Sequence, residues 1–229
     1  MTAVWRAMLV VLLALNLRPI LTSIGPLLDP MRISTGLGYQ QAALLTALPV
    51  LCMGAVPLLH LWSRRWLSEQ AGMLGGLAAI ALACLWRLQL ESAWALLASA
   101  VLAGLGVAVV QGMMPGLVNR WFPGRLAGAM GLYSAALMSG GGLAAVLGPH
   151  LAEYAGQWQV GLGVWAAPAL VAMLAWLILR PRNAQAPVFK TVSGHWFGHR
   201  RAWLLAVYFG LINGGYTSMV AWFPAVSYT

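Results

Sequence analysis

Seven times along its 229 residues this chain runs for roughly 20 positions with almost only apolar side chains, and that recurrence decides the solvent in which it can fold. A helix of that length rises about 30 Å, the thickness of the hydrocarbon core of a bilayer. The runs fall near residues 7–28, 41–62, 70–87, 93–118, 126–149, 159–179 and 202–224, with short polar breaks between them. Only 7% of the residues are charged and 61% are hydrophobic, whereas a soluble domain carries about a quarter charged residues. A water-facing surface cannot be assembled from that stock, so the expectation is an all-α, multi-pass membrane protein. The first run lacks an A-x-A cleavage site and further runs follow it, which makes it a membrane helix and not a signal peptide.

The formal net charge of +9 sits in the breaks between spans, with no basic patch interleaved with exposed aromatics. This excludes nucleic acid as a partner and leaves the lipid bilayer as the surroundings. With a cytoplasmic amino terminus, Arg6, Arg64, Arg65, Arg120, Arg125, Arg180, Arg182, Lys190, Arg200 and Arg201 lie inside and only Arg32 and Arg87 outside. Ten against two predicts that orientation, in a bacterial-type inner (plasma) membrane. Asp29, Glu91 and Glu153 then fall on the outer side, and Trp5, Trp62, Trp121, Trp158 and Trp203 mark helix ends where amphipathic rings favour the interface. Cys52 and Cys84 both lie within spans and read as small packing residues. There is no H-E-x-x-H, no G-x-S-x-G and no pair of intramembrane aspartates, and His60, His150, His195 and His199 lack ligand spacing. Neither an enzyme nor a cofactor or metal site is expected.

The longest polar stretch, 180–201, holds Pro181, Pro187 and Lys190 and separates six spans from a seventh. The chain therefore divides into a six-helix bundle at 1–179, a cytoplasmic linker at 180–201 and a seventh helix at 202–229. Many secondary transporters are two six-helix halves, each built of two inverted three-helix repeats. A weak internal echo fits such a repeat: Asn16, Arg18 and Pro19 in the first span, Gln111 and Pro115 in the fourth. Helices interrupted at matching positions point to a midplane site.

Arg18 is the most informative residue, since it lies about 13 positions and so roughly 20 Å into the first span. An arginine at that depth costs about 2.5–3.5 kcal/mol on insertion scales unless it faces a wet cavity or a partner. Asp29 is about 16 Å further along the same helix, and no carboxylate is an evident counter-ion. The guanidinium is thus expected to receive an anionic or strongly polar solute through its fixed fork of donors. The competing reading has Arg18 snorkelling outward, or bonding carbonyls that Pro19 frees. Asn16, Gln111, Tyr133, Ser134, Asn213 and Tyr216 supply neutral hydrogen-bonding groups within spans, which either line a cavity or bond neighbouring helices. Ser139-Gly140-Gly141-Gly142 suits close helix packing and hinge movement, not ligand contact.

The segments "LNLRPILTSIGPLLDPMR" (15–32), "AALLTALPV" (42–50), "MPGLVNRWFP" (114–123), "MGLYSAALMSGGGL" (130–143) and "YFGLINGGYTSMVAWFPA" (208–225) closely resemble the cyanate permease and nitroimidazole transporter family of the major facilitator superfamily. The resemblance runs through nearly the whole chain. It implies a twelve-helix transporter of alternating access that holds a small anion, such as cyanate, or a related small polar solute between two six-helix bundles. It also implies that the first, fourth and seventh helices line the cavity, which brings Arg18, Gln111 and Asn213 toward one site, with Asn16, Tyr133 and Tyr216 as further substrate-binding candidates. Relatives continue for five more helices, so the chain reads as truncated, and without a separate second half or a homodimer partner it is expected to be a transport-inactive membrane fragment. The segment "LWSRRWLSEQAG" (61–72) keeps Arg64 and Arg65 but lacks the Gly and Asp of the superfamily signature at their places, which leaves positive-inside topology as their role.

Overall fold

The computed structural model describes residues 2–63 and 68–179, the side chains of 57–63 excepted, and of the later region residues 200, 201, 203, 204, 207, 208, 210–212, 214, 215, 218 and 219. Residues 180–199 of the linker expected at 180–201, and about half of the seventh span, including Asn213 and Tyr216, lie outside the described residues.

Six helices among the described residues are long and apolar enough to cross a membrane: Ala3–Thr35, Tyr39–Val56, Glu69–Arg87, Ala93–Trp121, Leu126–Ala155 and Trp158–Leu179. No strand occurs among the described residues. The second helix itself runs on from Tyr39 to Ser63. The turns that separate the spans are chemically marked. Ser68 caps the third span by accepting from the Ala71 amide at 3.2 Å, and Glu69 follows it in the first turn, where the helix dipole favours an acid. The first and fifth spans end at Gly36 (φ 68°) and Gly156 (φ 67°), left-handed positions that glycine takes without penalty.

The first span is longer than hydropathy alone indicates. After Ala3–Leu15 it breaks, resumes as Pro19–Thr22, tightens to a 3-10 turn at Gly25–Leu27 and continues as Leu28–Thr35. Asp29 accordingly sits in the first turn of a helical segment, on the same span as Arg18 as expected. The fourth span stays helical straight through Pro115, so the interruption belongs to the first span and the expected echo between the two is not matched.

Lipid tails are as apolar as leucine, so membrane helices associate through close packing at small residues and not through a hydrophobic drive. A glycine marks each tight crossing here. A Cβ at Gly106 would stand 2.6 Å from the Gly76 carbonyl, joining the third and fourth spans, and one at Gly104 would stand 2.6 Å from Pro49 Cα of the second. A Cβ at Gly161 would stand 2.5 Å from the Gly148 carbonyl, joining the fifth and sixth, and one at Gly140 would collide with the Leu15 carbonyl of the first.

At the end of the bundle that carries the amino terminus, Arg6 Nη1 donates to the Trp121 carbonyl at 3.3 Å, and Arg120 pairs with Glu69. Trp121 stacks on Trp176 with centroids 6.1 Å apart. Trp121 and Trp158 are both buried, which corrects their expected role as interfacial anchors; one lies against another ring and the other inside a second apolar cluster with Leu27, Leu96 and Leu162. Trp5 and Trp203 remain exposed as expected.

Candidate functional site

The site grows from one missing amide hydrogen. Pro19 has no N–H, so the Leu15 carbonyl loses its donor four residues ahead and the helix cannot continue with its usual bonding. The chain compensates with tighter bonds: the Asn16 amide donates to the Leu13 carbonyl at 3.2 Å and the Leu17 amide to Ala14 at 3.1 Å. Asn16, 3% exposed, turns its side-chain amide back onto the Leu12 carbonyl at 2.7 Å. Its amide nitrogen therefore serves the helix end.

Arg18 stands at the start of the short Pro19–Thr22 turn, and its carbonyl accepts from the Leu21 and Thr22 amides at 3.0 and 3.2 Å. The fifth span packs directly behind it. The Thr22 hydroxyl donates to the Gly141 carbonyl at 2.8 Å and also lies 3.2 Å from the Arg18 carbonyl. A Cβ on Gly141 would stand 3.2 Å from Arg18 Cβ and 3.3 Å from Thr22 Cγ2. Two turns earlier on the same span comes Tyr133, 6% exposed, with a buried hydroxyl that has no hydrogen-bond partner. The Arg18 charge acts on that phenol, and the guanidinium is itself engaged by its surroundings. The cation expected to be uncommitted is thus a shared one, half-buried and not turned out toward lipid as a fully exposed chain would be.

On the fourth span, Gln111 Oε1 is buried without a partner. Its neighbours Val110 and Met114 belong to the same core cluster as Leu17, Ile20 and Tyr133. Arg18 on the first span, Gln111 on the fourth and Tyr133 on the fifth thus each bring a polar group to the apolar interior of the bundle. Ser134 is exposed and plays no part in it. No group of three or more His, Cys, Asp or Glu side chains suited to a metal occurs among the described residues.

One buried charge escaped the sequence. Arg87, read as an outer-loop residue, is the last residue of the third span and only 1% exposed. Its Nε donates to Ser99 Oγ at 3.2 Å, and Ser99 in turn donates to the Leu96 carbonyl at 2.7 Å. Nη1 and Nη2 are buried without partners. The available clue was the pair itself, an arginine closing one span and a serine two turns into the next, on a tight hairpin. Arg32 likewise lies within a helix, with its guanidinium 3.6 Å from the Tyr39 ring centroid.

The profile of the Major Facilitator Superfamily matches residues 7–229. Over 219 residues the chain is 43% identical to the cyanate transport protein CynX of Escherichia coli K12, covering 95% of this chain and 57% of that protein. It is 28% identical over 223 residues to the 2-nitroimidazole transporter of the same organism, covering 95% and 56%. The chain spans about half the length of the curated relatives it matches. Among solved structures, tetrameric PepTSo2 superimposes with a TM-score of 0.70 at 14% identity, covering 99% of this chain and 51% of that one. A bacterial homologue of the human peptide transporters PepT1 and PepT2 gives 0.69 at 14%, with the same coverage, and at such identity the likeness speaks to the fold.

Proposed function

This chain belongs to the Major Facilitator Superfamily as a multi-pass membrane protein, and on that premise we propose that it is the substrate-binding bundle of a secondary transporter. Its cargo is a small anion such as cyanate, or a related small polar solute, carried across the inner membrane by alternating access. The observation that carries the reading is Arg18: an arginine at the break of the first span after Leu15, half-buried in the bundle and packed against Gly141 of the fifth span. A guanidinium stays protonated at every physiological pH, so the positive charge is permanent. In a dry interior its attraction for a small anion is several-fold stronger than in water. Tyr133 and Gln111 add neutral polar atoms that lack partners among the described residues, which suits a solute with polar ends. The 43% identity to a cyanate transport protein supports the anion, and the similarity to a 2-nitroimidazole transporter supports tolerance of a polar, uncharged ring.

In this reading residues 1–179 form the bundle, 180–201 the cytoplasmic linker and 202–229 the start of a second bundle, with Asn16, Asn213 and Tyr216 completing the substrate shell. The distribution of basic residues supports a cytoplasmic amino terminus. Alternating access requires two bundles, and residues 1–179 supply one of them.

Uptake of labelled cyanate into proteoliposomes, by the protein that carries this sequence expressed in full, tests the proposal. Arg18→Ala is expected to abolish saturable uptake and Arg18→Lys to leave a small residue of it, because a point charge replaces a fork of donors. Unchanged uptake in both variants overturns the reading.

A further inference from the structure

Three consecutive glycines on the fifth span meet three different surroundings. Gly140 is pressed against the Leu15 backbone, so closely that any side chain there displaces main chain. A Cβ at Gly142 would meet no other side chain or span within 4 Å among the described residues. Gly141 is intermediate: an added methyl would meet Arg18 Cβ at 3.2 Å and Thr22 Cγ2 at 3.3 Å, distances that oblige the neighbour to yield by a few tenths of an ångström. The same residue's carbonyl accepts the Thr22 hydroxyl at 2.8 Å, in a fully buried bond between spans.

These contacts converge on the interrupted stretch of the first span. Pro19 leaves it without its regular internal bonding, so its path is set from outside, by the glycine notch behind Leu15 and by the Thr22 bond to Gly141. Arg18 lies between those two fixed points, and the span that supplies them also carries the unpartnered, buried Tyr133 hydroxyl.

We infer that Gly141 and Thr22 are positioning residues for Arg18: the contact between the first and fifth spans sets where the guanidinium stands, and so how tightly it holds a small anion. The inference rests on the reading of Arg18 as the anion-binding group. A bound ion needs its donors held within about half an ångström of the productive geometry, and a larger misplacement costs affinity steeply. A methyl at 141 acts on that scale.

The test measures cyanate uptake in proteoliposomes at matched protein density, with KM and Vmax resolved, in Gly141→Ala, Thr22→Val, Thr22→Ser, Gly142→Ala and Arg18→Ala. Gly141→Ala and Thr22→Val are expected to raise KM roughly three- to ten-fold with Vmax nearly unchanged, while Thr22→Ser and Gly142→Ala keep the parent KM. Gly140→Ala is expected to fail in assembly and is not informative about the solute. A parent KM in both Gly141→Ala and Thr22→Val, together with lost uptake in Arg18→Ala, overturns the positioning role and leaves Arg18 as the anion-binding group. An equal KM rise in Gly142→Ala overturns it too, since a methyl there meets no other span among the described residues. Unchanged uptake in Arg18→Ala overturns the underlying reading, and the inference falls with it.

Discussion

Arg18 and Arg87 are both arginines inside an apolar bundle, yet their surroundings differ in a way that separates function from structure. Arg18 sits where a helix is broken, half-buried, on a stretch packed against the fifth span. Arg87 closes an unbroken helix, is sealed at 1% exposure, and has one hydrogen bond, to Ser99, with two nitrogens left unpaired. A charge that a solute must reach needs an opening, whereas a sealed charge acts only on the packing around it. Depth in the apolar run does not distinguish them, because the residue nearer the helix end is the more buried one.

The comparison can be broken or sharpened by substitution. The largest effect is expected for Arg18→Met, which keeps bulk but removes charge: roughly a hundredfold loss of cyanate uptake, on the scale of losing a preorganised charged contact, with little change in thermal stability in detergent. The matching Arg87→Met removes a buried, incompletely paired charge. It is expected to leave the KM for uptake unchanged and to raise unfolding stability by about 1–4 kcal/mol, as when buried ions give way to apolar side chains. Destabilisation by Arg87→Met, or a changed KM, would erase the distinction between the two arginines. Next comes Ser99→Ala, which strips Arg87 of its acceptor and should cost about 1–3 kcal/mol in the same unfolding measurement. Combining it with Arg87→Met should remove that penalty, since no donor is then left wanting. The smallest effect belongs to Glu69→Gln, which breaks the pair with the one-third exposed Arg120 and should cost no more than about 1 kcal/mol.

Much of the architecture was legible because bilayer thickness imposes a length on every apolar run, and the six described helices lie where those runs predicted them. Their ends were less legible. Glu69 and Trp121 extend helices beyond the apolar stretch because capping and dipole terms, not hydropathy, decide where a helix stops. Arg18 stood out as a charge amid apolar neighbours. Its relation to Tyr133 was not readable, because a residue 115 positions away becomes a neighbour only through the crossing of two spans. Trp121 was misread for a related reason: a tryptophan near a helix end suits an interface equally well as a stack on Trp176, and only the sixth span's approach decides. The fourth span shows the converse, since Pro115 marks a possible break that the surrounding helix absorbs.

The bond from the Thr22 hydroxyl to the Gly141 carbonyl spans 119 positions of sequence. A ribosome adding roughly 5–20 residues per second takes roughly 6–24 s to traverse that interval. For that long the newborn first helix, with its arginine and its unsupported turn at Pro19, must wait beside the insertion machinery for the wall that will shape it. Slowing elongation between codons 22 and 141 would therefore prolong the chain's most vulnerable moment, and that delay should register as degraded nascent protein.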